Sequence, residues 1–150
     1  AIGVKGANID GGEVIGMATS EEGNKVLTVT ENGYGKLSEL EEFRATNRGA
    51  KGVKALTVNE KTGNLVCLKA VQGNEDCMII TNDGIVIRIS LTQVSVYSRG
   101  AQGVRLINVG DDKMVSNVAI VSPEESEEET SVTEETTEAT TAETTEEIKE

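Results

Sequence analysis

The sequence predicts an all-β protein made of repeated, propeller-like blades. The first evidence is a repeat, because residues 47–54 (the first loop) return in related form as residues 98–105 (the second loop). Arg48 and Arg99 thereby occupy matched positions 51 residues apart. The second evidence is a series of short β-rich runs separated by Gly, Asn and Asp turn signals, with weak helical periodicity throughout. A repeat of about 50 residues with roughly four strands corresponds to one blade of a propeller-like ring.

The first repeat contains a clear hairpin signal. Its predicted strands are residues 4–9, 13–19, 25–30 and 34–43. The pair Asn32-Gly33 lies between the last two of these runs, and an Asn-Gly pair in that position favours a tight β-hairpin. The sequence therefore predicts a hairpin with its turn at Asn32 and Gly33.

The second and third repeats follow the same plan. Their predicted strands are residues 53–58, 64–71, 77–81, 85–89, 104–109 and 114–121. Gly84 lies 51 residues after Gly33, so the two hairpins share a register. In residues 85–89 isoleucines alternate with Val86 and Arg88, which places Arg88 on the face opposite the isoleucines. Two full repeats and a partial one are too few to close a ring, so we expect a fragment of a longer protein.

Charge divides the chain into two parts. Residues 122–150 hold 12 Glu and one Lys, and so supply −11 of the formal net charge of −12. We therefore predict a folded domain over residues 1–121, with repeats at about 3–51, 52–102 and 103–121, and a disordered acidic tail over residues 122–150. Two roles for the tail stay open: a polyanion that competes with another polyanion for the cations of the folded domain, or a solubilising appendage.

The residue types exclude several kinds of site. The chain has no His, so it can form neither a His-containing metal site nor a Ser-His or Cys-His pair. Cys67 and Cys77 lie in apolar runs, and we expect reduced core thiols rather than a disulfide. We expect no catalytic residue, metal or cofactor here. No apolar run is long enough to cross a membrane, which predicts a cytoplasmic protein without a membrane partner.

Cations supply the positive signal for function. Two stretches, residues 44–58 and 85–109, contain no acid. Their cations are Arg44, Arg48, Lys51, Lys54, Arg88, Arg99 and Arg105. Because repeats place equivalent residues at equivalent points around a ring, this pattern predicts a basic stripe that contacts the phosphates of duplex DNA. Base stacking is disfavoured, since the chain has only two Tyr, one Phe and no Trp. On charge pattern alone, ordinary solvated charges on turns remain an equal alternative.

Several motifs resemble those of one known family. They are residues 30–36 (Thr-Glu-Asn-Gly-Tyr-Gly-Lys), 48–53 (Arg-Gly-Ala-Lys-Gly-Val), 81–84 (Thr-Asn-Asp-Gly) and 102–107 (Gln-Gly-Val-Arg-Leu-Ile). In this order, and followed by an acidic tail, they resemble the carboxy-terminal domain of the DNA gyrase A subunit over residues 1–121. The resemblance implies a β-pinwheel that wraps duplex DNA around a basic rim, with this chain as its last two to three blades.

The resemblance also implies a role, partners and contact residues. Such a domain supports ATP-dependent negative supercoiling by a type II topoisomerase at the bacterial nucleoid, assembled as A2B2 from A and B subunits. The catalytic tyrosine of that enzyme lies outside this chain, so Tyr34 and Tyr97 are not that residue. The residues expected to contact DNA are Lys36, Arg44, Arg48, Lys51, Lys54, Arg88, Arg99 and Arg105.

Two alternatives stay open at this point. One is the related domain of topoisomerase IV, in which the blades select a DNA segment rather than wrap it. The other is a propeller-like protein-interaction module with no DNA role. Salt-sensitive binding to duplex DNA separates the interaction module from the two topoisomerase domains.

Overall fold

The structure is a computed structural model and is described for residues 1–123, so all but the first two residues of the predicted tail lie outside the described residues. The strands are β1 (Lys25–Thr30), β2 (Tyr34–Glu39), β3 (Leu65–Val71), β4 (Asp76–Thr81), β5 (Val86–Ser90), β6 (Val104–Arg105) and β7 (Val115–Val121). Short 3-10 turns, Leu40–Glu42 and Leu91–Gln93, follow β2 and β5. Within residues 1–123, no helix has the length and apolar character needed to cross a membrane.

Two hairpins form the centre of the fold and obey the predicted repeat. β1 pairs with β2 and β4 pairs with β5, both antiparallel. In the first turn the Gly33 amide donates to the Thr30 carbonyl at 3.0 Å, and in the second the Gly84 amide donates to the Thr81 carbonyl at 3.1 Å. Both glycines have positive φ, 80° and 85°, a conformation that glycine adopts without strain. The hairpin predicted at Asn32 and Gly33 is confirmed.

Each hairpin is completed by strands from later repeats. In the first blade the strand order is β3-β1-β2-β6, and in the second it is β5-β4-β7. β3, from the second repeat, thus flanks the first hairpin, and β7, from the third repeat, flanks the second. The half-repeat at the end of the described chain thus completes blades begun earlier. Such exchange covers strand edges that would otherwise pair between molecules.

A single apolar core lies between the two blades. Its buried members include Leu27 and Val29 of β1, Ile79 of β4, and Val115 and Val118 of β7. Cys67 and Cys77 are also buried there as free thiols, which confirms the prediction of reduced core cysteines. The predicted alternation in β5 is confirmed as well, since Ile87 and Ile89 pack on the core while Arg88 is exposed.

Three predicted strands are wrong. Residues 4–9, 13–19 and 53–58 are not strands, and Val4, Val14 and Met17 expose 74%, 75% and 85% of their surface. A strand needs a partner to satisfy its backbone groups. Residues 14–20 stand one repeat before β3, whose partner is the β1–β2 hairpin, and no hairpin lies one repeat earlier among the described residues. Their apolar pattern therefore has no sheet to join.

Two further predicted strands are shorter than expected. β2 ends at Glu39 and gives way to a 3-10 turn, so the run predicted to Phe43 stops early. Of residues 104–109, only Val104 and Arg105 form a strand, β6. There the Gly33 carbonyl accepts from both the Leu106 and the Ile107 amide, which ends the regular ladder with β2.

Candidate nucleic-acid interface

The two loops make the same backbone contact in successive repeats. The Asn8 amide donates to the Ala50 carbonyl of the first loop at 2.9 Å. One repeat later, the Thr57 amide donates to the Ala101 carbonyl of the second loop at 3.4 Å. Ala50 and Ala101 are themselves 51 residues apart. The repeat therefore reproduces the setting of each loop as well as its sequence.

A side-chain pair accompanies this contact in both loops. In the first loop Lys51 Nζ lies 3.6 Å from Asp10 Oδ2, and both side chains are largely exposed. At the equivalent place in the second loop, Asn59 Nδ2 donates to Gln102 Oε1 at 2.9 Å. Successive repeats thus use a charged and a neutral version of one cross-loop contact. The exposed ion pair contributes little to stability, so Lys51 remains available for other anions.

Four of the predicted cations lie on or beside the first loop and are exposed: Arg44, Arg48, Lys51 and Lys54. Arg44 lines a shallow open depression together with Asn47 and Ala50. Within residues 1–123, no carboxylate lies at ion-pair distance from Arg44, Arg48 or Lys54. Among the described residues, these three charges are therefore not neutralised by an ion pair.

The second loop brings Arg99 against Lys54. The Arg99 guanidinium donates through Nη1 to the Lys54 carbonyl, and the Arg99 backbone amide donates to Glu42 Oε2 at 2.6 Å. A Cβ at Gly103 would lie 2.6 Å from the Gly35 carbonyl oxygen, and the φ of Gly103 is +84°. Only glycine lets the loop lie this close to β2 in that conformation.

Arg105 occupies a separate place at the end of the first blade. Its guanidinium lies 5.3 Å from the centre of the Tyr34 ring, and its Nη2 donates to Tyr34 Oη at 3.1 Å. Lys61 Nζ lies 5.5 Å from the same ring. Both cations therefore lie against the Tyr34 ring, whose negatively polarised face attracts positive charge. Sequence reasoning missed Lys61 because Glu60 precedes it and breaks the acid-free pattern.

Arg88 lies apart from the other cations, on the second blade. Its Nε donates to Asp76 Oδ2 at 2.8 Å, and its Nη2 donates to the Ser122 carbonyl at 3.0 Å. These contacts join neighbouring strands β4 and β5 to the end of β7. The structure thus does not bring Arg88 to either loop.

Lys36 requires a correction. It is fully buried in β2, so it does not offer the surface charge that a phosphate contact needs. Its Nζ instead donates to Ser38 Oγ at 3.0 Å and to the Ser98 and Arg99 carbonyls, each at 2.6 Å. The second loop covers β2, which removes this side chain from solvent.

Burial shapes the electrostatics of the same region. The pKa of Lys36 lies below its ordinary value. Burial is the main cause, the Glu42 carboxylate partly offsets it, and the nearby Arg99 charge lowers the pKa further.

Among residues 1–123, no group of three or more His, Cys, Asp or Glu side chains is arranged to hold a metal ion. The surface of the first loop offers its exposed cations to a ligand.

The family model for the DNA gyrase C-terminal domain, described as a beta-propeller, matches residues 24–70 and 75–122. The chain belongs to the DNA gyrase C-terminal domain family. The first matched segment contains the β1–β2 hairpin and nearly all of β3, and the second contains the β4–β5 hairpin with β6 and β7.

Curated relatives agree with the family assignment. The DNA gyrase A subunit of Staphylococcus aureus strain NCTC 8325 is 49% identical over 133 residues, which cover 87% of this chain and 15% of the relative. The protein of strain MRSA252 is 48% identical over 131 residues, with 85% and 15% covered. The chain thus spans about 15% of the length of these relatives.

Solved structures share the fold. A DNA gyrase A C-terminal domain matches with a TM-score of 0.62 and 23% identity, over 65% of this chain and 33% of that one. The C-terminal domain of DNA topoisomerase IV matches with a TM-score of 0.60 and 19% identity, over 69% and 32%. At these identities the likeness concerns the fold, and it supports the all-β, propeller-type architecture.

Proposed function

We propose that this chain binds and wraps duplex DNA as part of a DNA gyrase A subunit, and so supports ATP-dependent negative supercoiling by an A2B2 holoenzyme in the bacterial cytoplasm. The observation that carries the proposal is the repeated setting of the two loops. Equivalent hydrogen bonds hold the backbone at Ala50 and at Ala101. Arg48 and Arg99, each two residues earlier, therefore recur in equivalent settings one repeat apart. A series of cations at regular spacing suits a bent duplex, whose phosphates recur regularly.

The cations assigned to DNA phosphates are Arg44, Arg48, Lys51, Lys54, Arg99 and Arg105. Arg88 is assigned to the junction of β4, β5 and β7, because its guanidinium already bonds Asp76 and the Ser122 carbonyl. Bending a short DNA site costs on the order of several kcal/mol, and distributed phosphate contacts offset that cost. No metal, cofactor or catalytic residue of this chain takes part in the proposed role.

The first test is salt-dependent binding to a DNA duplex by the intact natural protein carrying Arg48→Ala and Lys51→Ala. Each lost phosphate contact lowers the magnitude of the slope of log affinity against log salt by roughly 0.9, so we expect a decrease of about 2. Lys69→Ala is the control, because Lys69 is exposed on β3, outside both loops. An unchanged slope in the double variant would contradict the proposal and favour an interaction module.

The second test separates gyrase from topoisomerase IV. The 49% identity to a DNA gyrase A subunit favours gyrase. With relaxed circular DNA and ATP, the intact protein with its B subunit should introduce negative supercoils. Relaxation or unlinking without net supercoiling would instead support the topoisomerase IV alternative.

A further inference from the structure

Lys36 is the largest fully buried side chain of the described residues, and its ammonium group is used completely. An ammonium has three N–H donors. In Lys36 they meet three acceptors: Ser38 Oγ, the Ser98 carbonyl and the Arg99 carbonyl. Two of the three acceptors belong to the backbone of the second loop, so the lysine joins β2 to that loop.

The backbone at Arg99 is held from two directions. Lys36 binds the carbonyls of both Ser98 and Arg99 at 2.6 Å each. The Glu42 carboxylate accepts the Arg99 amide, also at 2.6 Å. Charged groups make shorter and stronger hydrogen bonds than neutral ones. The backbone from which the Arg99 side chain projects is therefore fixed by one cation and one anion.

The second hairpin shows that sheet packing does not require this lysine. One repeat later, 51 residues on, Ile87 stands at the position of Lys36 and Gln93 at that of Glu42. Ile87 packs against the apolar core. Burying an ammonium is unfavourable unless its hydrogen bonds are satisfied, whereas burying an isoleucine is not. The packing of the hairpin therefore does not explain why a charged residue stands at position 36.

The first loop provides the contrast. Arg48 is exposed, and residues 1–123 provide no hydrogen bond to its guanidinium and no buried ammonium beneath its backbone. Arg99 is partly buried, anchored at its backbone and joined by its guanidinium to the Lys54 carbonyl. The two matched arginines thus differ in how firmly the chain orients them.

We propose that Lys36 is a positioning residue for DNA binding: with Glu42 it fixes the Ser98–Arg99 backbone, so that the guanidinium of Arg99 is presented beside Lys54 to a DNA phosphate. The inference rests on the proposed function and assigns different roles to Lys36 and Arg99. Lys36 touches no DNA and acts only through Arg99. Preorganising a side chain in its bound geometry reduces the ordering cost of association.

A double-mutant cycle in the intact natural protein tests this dependence. Lys36→Met removes the ammonium and keeps an unbranched side chain, and Arg99→Ala removes the positioned cation. We expect each change to weaken duplex DNA binding about threefold, the order of one phosphate contact. Because both remove the same contact, their combination should weaken binding no further than Arg99→Ala alone. Combined with Arg48→Ala, the effect of Lys36→Met should multiply in full.

A structural readout accompanies the cycle. Hydrogen exchange at the Arg99 amide should accelerate in Lys36→Met and stay unchanged in Lys69→Met, which removes a lysine from the exposed face of β3. If Lys36→Met unfolds the blade, Glu42→Ala takes its place, because it releases the Arg99 amide at an exposed position. It should show the same non-additivity with Arg99→Ala.

The outcomes distinguish this inference from the proposed function. If Arg99→Ala weakens binding and Lys36→Met does not, the positioning role is overturned while DNA binding stands. Multiplying effects of Lys36→Met and Arg99→Ala would also overturn it, because Lys36 would then act independently of Arg99. If neither Arg48→Ala nor Arg99→Ala weakens duplex binding, the proposed function itself fails.

Discussion

At the scale of single residues, the two cysteines show how the core fixes a chemical state. Cys67 on β3 and Cys77 on β4 belong to different blades and meet in one core. Burial raises the pKa of each thiol to about 11, from an ordinary value near 9.0. A thiolate is the reactive form, so both cysteines are inert while the blades stay packed.

This gives a prediction for alkaline pH. Both thiols hold their protons more tightly when folded, so their share of stability is complete below pH 9.0 and is lost as the pH rises towards about 11. The protection factors of amides in β3 and β4, which correct for hydroxide-catalysed exchange, should therefore fall over that range. The variant with Cys67→Val and Cys77→Val should lose part of this pH dependence. An identical pH profile in both proteins would contradict the linkage.

Lys36 shows where residue-level prediction stops. All but the last position of β2 is buried on both faces of the sheet, because the second loop and the core cover it together. Alternation therefore carries no information about which side chains reach solvent. The family resemblance placed Lys36 with the DNA contacts, as the lysine that ends the motif at residues 30–36. The residue at the same position one repeat later, Ile87, is apolar and packs against the core. This counterpart indicates that the position is buried.

At the scale of elements, β4 is the central strand of the second blade, between β5 and β7. Ile79 on this strand is fully buried, whereas Ile85, just before β5, exposes 54% of its surface. We expect Ile79→Ala to lower the local free energy of unfolding by about 2–5 kcal/mol. Ile85→Ala, the matched control, should change it by less than about 0.5 kcal/mol. Hydrogen exchange in β4 measures both, and equal effects would contradict the described core.

Pairing within one repeat was predictable from the sequence, and the strand partners across repeats were not. Local signals define β1, β4 and the turns at Gly33 and Gly84, since each hairpin closes within one repeat. Residues 13–19 have the same apolar character but no partner in the described chain, and residues 53–58 contact the second loop without forming a ladder. Pairing across repeats depends on segments far away in sequence, which local patterns do not encode.

At the scale of the whole molecule, the described residues form two blades with exposed apolar side chains and open strand edges. Val14 and Met17 are exposed, and β5 is an edge strand of the second blade. We expect residues 1–121, produced alone, to associate or to be unstable, because open edges and apolar patches pair between copies. Sedimentation and thermal unfolding measure this. A monomer that melts cooperatively would contradict the expectation.

The exchange of strands between repeats has a consequence for how such a chain can change in evolution. The segment that a duplication copies is not the segment that folds, because the first blade collects its strands from three successive repeats and the second from two. Lys25 pairs with Val71, 46 residues on, and Asp76 pairs with Val121, 45 residues on, so the register is the same although the second connection is one residue shorter. The connecting loops therefore absorb small differences in length, whereas a slip within a strand turns apolar side chains outward. Gain or loss of a whole repeat leaves each hairpin facing an equivalent partner, so the gene can change the number of blades without keeping an exact repeat length.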